Sequence, residues 1–185
     1  MLVKALRMGD LTAVHVPDVT DEALREAAPA WRWYPVVEAI QALRGVQFTI
    51  AISLIAELGD LSRFEHPRQL MAWLGVTPSE HSSGGSRKLG GITKAGNRYA
   101  RKALVEAAWS YRYPAKVSRI IQRRHDDLPK PITDRAWDAQ LRLCSRYRRL
   151  TARGKLPTVA VVAIARELAA FIWDIARMTP VAPAH

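Results

Sequence analysis

The segment from Thr158 to Met178 is the most apolar part of this 185-residue chain, and its length is sufficient for a membrane span. Arg166, Glu167, Asp174 and Arg177 interrupt it, while Val161, Ala165, Leu168, Ile172 and Ile175 recur at helical spacing. The pattern predicts a buried core helix, with Thr158 as its N-cap after Pro157. Such a helix needs other elements around it, and a chain that is 49% hydrophobic can bury one sizeable core. The expected fold is therefore all-α, a compact multi-helical domain built around this segment. A short extended piece at Val14 to Val16 is the one strand-like stretch expected.

Glycine and proline punctuate the remaining helical patterns. Pro35 to Arg44 reads as a short helix, Gly45-Val46-Gln47 as a tight turn, and Phe48 to Leu58 as a second helix ended by Gly59. This helix-hairpin-helix-like pair has the shape by which some DNA-binding modules offer backbone N–H groups to phosphate. Gln47 stands where a second glycine would sharpen that signal, so an ordinary core hairpin remains the alternative. Pro67 opens a helix running to Gly75. Asn97 caps another, from Arg98 to Tyr111, with Ala100, Leu104, Ala107, Ala108 and Tyr111 as its apolar stripe. A last helix runs from Pro131 or Thr133 to Leu150. On it Arg135, Arg142, Arg146 and Arg149, continued by Arg153, fall on one side, and Trp137, Leu141, Cys144 and Tyr147 are expected to face inward.

Between these helices lies a long Gly/Ser-rich basic loop, Val76 to Gly96, continuing into the helix behind Asn97. The stretch PSEHSSGGSRKLGGITKAGNRYARKA, Pro78 to Ala103, combines hydroxyls, glycines and clustered cations. Gly90, Gly91 and Gly96 permit close approach of backbone to a ligand. From Arg87 to Ala103 there are six basic residues and no acidic one: Arg87, Lys88, Lys94, Arg98, Arg101 and Lys102. A hydroxyl beside such a cluster suits a phosphate grip or a serine nucleophile. A flexible connection is the plain alternative.

The net charge of +11 is localised. Met1 to Ser86 carries 7 basic and 10 acidic residues, whereas Arg112 to Lys155 carries 13 basic and 4 acidic ones. Together with the six cations of Arg87 to Ala103, this points to a nucleic-acid partner, with Arg142, Arg146 and Arg149 tracking a phosphate backbone. An acidic membrane surface competes for the same charge, but no lipidation motif or signal peptide accompanies it. The single cysteine, Cys144, forms no internal disulfide and suits a reducing cytoplasm. No Cys/His cluster suggests a metal site.

Read together, Leu43 to Arg112, with the elements SSGG and GGITKAGN in that order, resembles the C-terminal domain of the insertion-sequence 110/116/902 transposase family. AWDAQLRLCSRYRRLTARGK and VVAIARELAAFIW are similar to the end of such proteins. The resemblance implies a DNA recombinase of a mobile element with a serine nucleophile, which by position is Ser83, with Ser82 second. It also implies DNA, an element-encoded structured RNA, and a homo-oligomer or full-length transposase as partners. Mg2+ is expected only with the family's N-terminal nuclease domain, no cofactor being bound by this chain. Localisation is expected to be cytoplasmic and nucleoid-associated.

Residues 1–30 resemble only the junction after that nuclease domain, and 31–185 the helical C-terminal domain, so the resemblance implies a truncated or internally deleted copy. Asp10, Asp18, Asp21 and Glu22 do not correspond to the metal-binding carboxylates, and Glu57 and Asp60 read as helix-end residues. Two functions follow. Either the chain keeps a serine-centred strand-transfer site, with Arg87, Lys88, Lys94 and Arg98 stabilising the transition state and His81 a candidate base, or it is a non-catalytic DNA/RNA-binding module.

Overall fold

The computed structural model describes residues 31–83 and 86–181, with positions 80–83 and 86–89 described by backbone alone. The junction segment 1–30, including Val14 to Val16, lies outside the described residues. Seven α-helices occur among those described: α1 (Tyr34–Ile40), α2 (Phe48–Leu58), α3 (Pro67–Trp73), α4 (Arg98–Ala108), α5 (Arg119–His125), α6 (Lys130–Ala152) and α7 (Pro157–Met178). Short 3-10 turns cover Leu61–Arg63 and Trp109–Arg112. An antiparallel hairpin, β1 (Pro78–Ser83) with β2 (Ser86–Ile92), projects between α3 and α4. The all-α expectation therefore holds, with one correction: most of the expected long loop is this hairpin.

Helix α7 is the hub, touching α1, α3, α4, α6 and both 3-10 turns. Val161, Ala165, Leu168, Ile172 and Ile175 are all buried, as their spacing predicts. The indole N–H of Trp173 donates to the carbonyl of Phe64 at 2.7 Å and fastens α7 to the turn before α3. No helix among the described residues is long and apolar enough to cross a membrane. Thr158 does not cap α7, because the helix already begins at Pro157, whose missing N–H and fixed φ suit the first position.

Helix α1 stops at Ile40, short of the expected Arg44. There the chain tightens into bonds from the N–H groups of Gln41, Ala42 and Leu43 to residues three positions earlier. Gly45 then turns it with φ +84°, and a Cβ there would lie 2.2 Å from the carbonyl oxygen of Ala107. The turn therefore packs directly on the end of α4. Helix α2 ends at Gly59, φ +61°, as expected.

On α6 the inward face is Ile132, Ala136, Ala139, Gln140, Leu143 and Cys144. Trp137 and Leu141, expected inside, are 38% and 48% exposed. Two effects rotate the seam. Ala136 and Ala139 let α6 approach α7 closely, and Arg135, Arg142 and Arg146 reach carboxylates on α7 from beside it.

Candidate nucleic-acid interface

The hairpin stands on a neck made by the end of α3 and the start of α4. Beyond the strands its two legs stay joined: the N–H of Thr93 donates to Thr77 O, and that of Lys94 to Gly75 O, both at 3.0 Å. Lys94 has φ +56°, a left-handed conformation uncommon for a residue with a side chain. Gly75 (φ +65°) and Gly96 (φ +74°) bring the legs into contact with backbone. A Cβ on Gly75 would sit 2.0 Å from Ala95 O, and one on Gly96 1.7 Å from Trp73 O.

Arg101 closes this neck. Its Nη1 donates to Leu74 O and to Ala95 O, each at 2.9 Å, so one guanidinium from α4 binds both legs. Arg98 and Lys102 flank it on the same turn and are exposed. Of the three cations expected on this helix to meet phosphate, Arg101 is engaged by the scaffold. Asn97 anchors the helix start: its Oδ1 accepts from the N–H groups of Tyr99 at 2.8 Å and Ala100 at 3.0 Å. Its amide donates to a carboxylate oxygen of Glu57 on α2, which gives that residue a structural partner.

Along the hairpin, Ser83 pairs with Ser86, Ser82 with Arg87, His81 with Lys88 and Glu80 with Leu89, and the register shifts before Pro78 meets Ile92. Directly paired residues share a face, and successive residues alternate. Positions 81, 83, 86 and 88 therefore share one face of the ribbon, and 82 and 87 the other. The side chains of Ser82, Ser83, His81, Arg87 and Lys88, and residues Gly84 and Gly85 altogether, lie outside what is described. Below them, Ser79 Oγ donates to Gly91 O at 2.9 Å across the strands.

The arginine stripe of α6 has a different setting from the exposed one expected. Arg142 Nε donates to Glu167 on α7 at 2.8 Å. Arg146 Nε lies 2.5 Å from the other oxygen of the same carboxylate, close enough for an ion pair but without hydrogen-bond alignment. Arg135 pairs with Asp174 and lies over the Phe171 ring. Arg149 is exposed and has no ion pair with a described residue. Sequence periodicity found the shared face but not the carboxylates on the neighbouring helix.

The α1–α2 turn is covered rather than free-standing. A ring nitrogen of His125 lies 3.0 Å from Ala42 O, Arg124 reaches Val46 O at 3.4 Å, and Arg44 donates to Pro114 O at 2.7 Å. Burial lowers the pKa of Arg124. Helix α5, which supplies two of these contacts, had no sequence expectation. A half-open cleft bordered by Arg32, Trp33, Asp60 and Arg177 contains none of the expected site residues.

The class of fold is a helical domain that carries a β-ribbon on a clamped neck, and comparison with known proteins narrows this. Residues 37–122 match the Transposase IS116/IS110/IS902 family. The y4qE protein of Sinorhizobium fredii, named for a transposase, is 46% identical over 164 residues, covering 89% of this chain and 42% of that protein. The transposase for insertion sequence element IS1111A of Coxiella burnetii is 39% identical over 71 residues, covering 38% of this chain and 20% of its own. That for IS1533 of Leptospira borgpetersenii is 26% identical over 136 residues, 73% of this chain and 39% of its own. The chain belongs to the IS116/IS110/IS902 transposase family. It spans less than half the length of these relatives.

Proposed function

We propose that this chain is the DNA-handling C-terminal part of a transposase, with strand exchange carried by a serine of the hairpin. The observation that supports the reading is the clamped neck: Gly75, Gly96 and Arg101 hold the base of the ribbon whose far end carries Ser82 and Ser83, and the exposed Arg98 and Lys102 stand at that base. In this reading Ser83 Oγ attacks a DNA phosphorus and a Ser–O–P bond forms. The P–O bond to the departing deoxyribose breaks, and that sugar oxygen takes a proton. The reverse step rejoins the strand without an external energy source. His81, on the same ribbon face as Ser83 by register, is the candidate acceptor for the serine proton. Ser82 is the second candidate nucleophile, on the face of Arg87.

Arg87, Lys88, Lys94, Arg98 and Lys102 would stabilise the developing phosphorane charge or hold flanking phosphates. Arg149, with Arg142 and Arg146 where Glu167 releases them, would add backbone contacts. The helix-hairpin-helix-like pair serves as the support for that surface. Mg2+ is expected with a full-length transposase's nuclease domain, and no step here passes through it. Element-encoded RNA, a second copy or a full-length transposase, in a cytoplasmic, nucleoid-associated setting, complete the reading.

The test is incubation of the full chain with end-labelled duplex and junction DNA, with and without candidate element RNA, scored for a denaturation-resistant adduct. The expected adduct disappears in Ser83→Ala while binding survives. Persistence in the Ser82→Ala, Ser83→Ala double variant would overturn the nucleophile assignment. Binding without any adduct would favour the non-catalytic module.

A further inference from the structure

Resting on the reading of this chain as a DNA-handling domain, we infer a second contact surface. Duplex DNA flanking the strand at the hairpin runs along a basic track from Arg98 and Lys102 on α4 through Arg112 and Lys116 to Arg119 and Arg123 on α5. All six are exposed, and none makes an ion pair with a described residue. From Arg112 to His125 the sequence has no acidic residue. The α6 arginines Arg135, Arg142 and Arg146 are neutralised by Asp174 and Glu167, so the free positive charge of this half of the chain lies on α5 and its approach and, separately, around the end of α6 on Arg148, Arg149, Arg153 and Lys155.

The track is carried on a fixed frame. Arg98 and Lys102 are one helical turn apart on the outer side of α4. Arg112 follows at the end of the 3-10 turn, its guanidinium 5.7 Å from the Trp109 ring and 4.7 Å from that of Tyr113, whose hydroxyl accepts from it at 2.7 Å. Arg44 holds the next residues through Pro114 O, and the N–H of Lys116 donates to Gln140 Oε1 at 3.2 Å. Helix α5 is fixed by buried Ile121, by Ser118, whose Oγ caps it, and by the His125 contact with Ala42 O. Cations already held in place lose less freedom on binding.

The hairpin neck lies at the N-terminal end of α4 and the α5 surface beyond its C-terminal end. The eleven residues of α4 rise roughly 16 Å, about five base pairs at 3.4 Å each. Glu106 is the acidic residue on the outer side of α4, and Asp126 and Asp127 close the track after α5. An acidic protein would meet the same charge, but protein interfaces centre on clustered apolar anchors. Here exposed Tyr99, Tyr113, Val117 and Ile120 stand among six exposed cations that have no ion pair with a described residue, and that excess of charge fits a phosphate backbone better.

The test is fluorescence anisotropy of a labelled duplex with the full chain across a salt series. Arg119→Ala with Arg123→Ala is expected to weaken binding and reduce the slope of log K against log salt by about 2, at roughly 0.9 per phosphate contact. Arg119→Lys with Arg123→Lys is expected to retain the slope and so separate charge from folding. Arg32→Ala with Arg68→Ala, an equal charge loss elsewhere, is the control. An unchanged slope in the alanine pair, or an equal loss in the control pair, would overturn the track while leaving the DNA-handling reading intact. Loss of polyglutamate binding with DNA affinity unmoved would assign the surface to an acidic protein instead. Failure of the unsubstituted chain to bind DNA would overturn both.

Discussion

Arg101 Nη1 lies 2.9 Å from the carbonyl oxygen of Ala95, and the same nitrogen reaches Leu74 O, so a single α4 side chain ties the two legs of the hairpin together. Hydrogen bonds from a charged donor contribute about 1.5–3 kcal/mol each, less here for solvent screening of a half-exposed group. Arg101→Ala should therefore loosen the hairpin much more than the helical core. Limited proteolysis should show faster cleavage between residues 77 and 95, with a fall of only a few degrees in Tm. Arg101→Lys should recover little of this, because an ammonium cannot reproduce the placement of the guanidinium nitrogen.

The glycines of the neck differ from the one that ends α2. Gly59, Gly75 and Gly96 all have positive φ, and Gly59, with ψ −135°, lies outside the left-handed helical region, so alanine costs about 1–3 kcal/mol at each from backbone conformation alone. At Gly59 no atom lies within 4 Å of the added Cβ, whereas at Gly75 and Gly96 it meets backbone oxygen at 2.0 and 1.7 Å. Chemical denaturation should rank Gly59→Ala as the mildest of the three. The other two should also raise amide exchange at Thr93 and Lys94, whose N–H groups bridge the legs.

Much of this architecture is legible in the sequence because helical burial has a period. The α7 stripe, the Asn97 cap and the Gly59 stop follow from local rules and appear where expected. The hairpin does not, since PSEHSS and SRKLGGI contain only Ile92 of the β-branched and aromatic residues that usually mark strands. Its remaining signal is the Gly-Gly between them. Helix α5 is short and held by contacts with Ala42 and Val46, far away in sequence. The roles of Arg101 and Arg142 depend likewise on partners 27 and 25 residues away, which no periodicity within one helix can reveal.

Glu167 should act as a brake on binding by the α6 stripe. It is largely buried and takes Arg142 and Arg146 on its two oxygens. Glu167→Gln removes the charge that holds them, so nucleic-acid affinity and its salt dependence should both rise while stability falls by about 1–2 kcal/mol. Anisotropy and thermal melting on the same samples check the two signs together. A variant that is less stable without any gain in affinity would assign both arginines to structure alone.

Alkaline pH should destabilise the core through Tyr111 and Cys144. Burial pushes both pKa values up, with the neighbouring cysteine adding to the shift of Tyr111 and Arg44 opposing that of Cys144. An acid with a raised folded pKa contributes its full stability below its unfolded pKa and loses it as pH rises above that value. The decline should therefore begin near pH 8.5 for the thiol and steepen near pH 10 for the phenol, roughly the values of the free groups. The Tyr111 hydroxyl is buried and has no hydrogen-bond partner among the described residues. Tyr111→Phe removes a desolvated polar group without opening a large cavity, so at neutral pH it should change stability by less than about 1 kcal/mol, or raise it. Denaturation midpoints measured from pH 7 to 11 should fall less steeply in Tyr111→Phe than in the parent, and flatten further when Cys144→Ala is added. Parallel curves for parent and variant would place the alkaline transition on other groups.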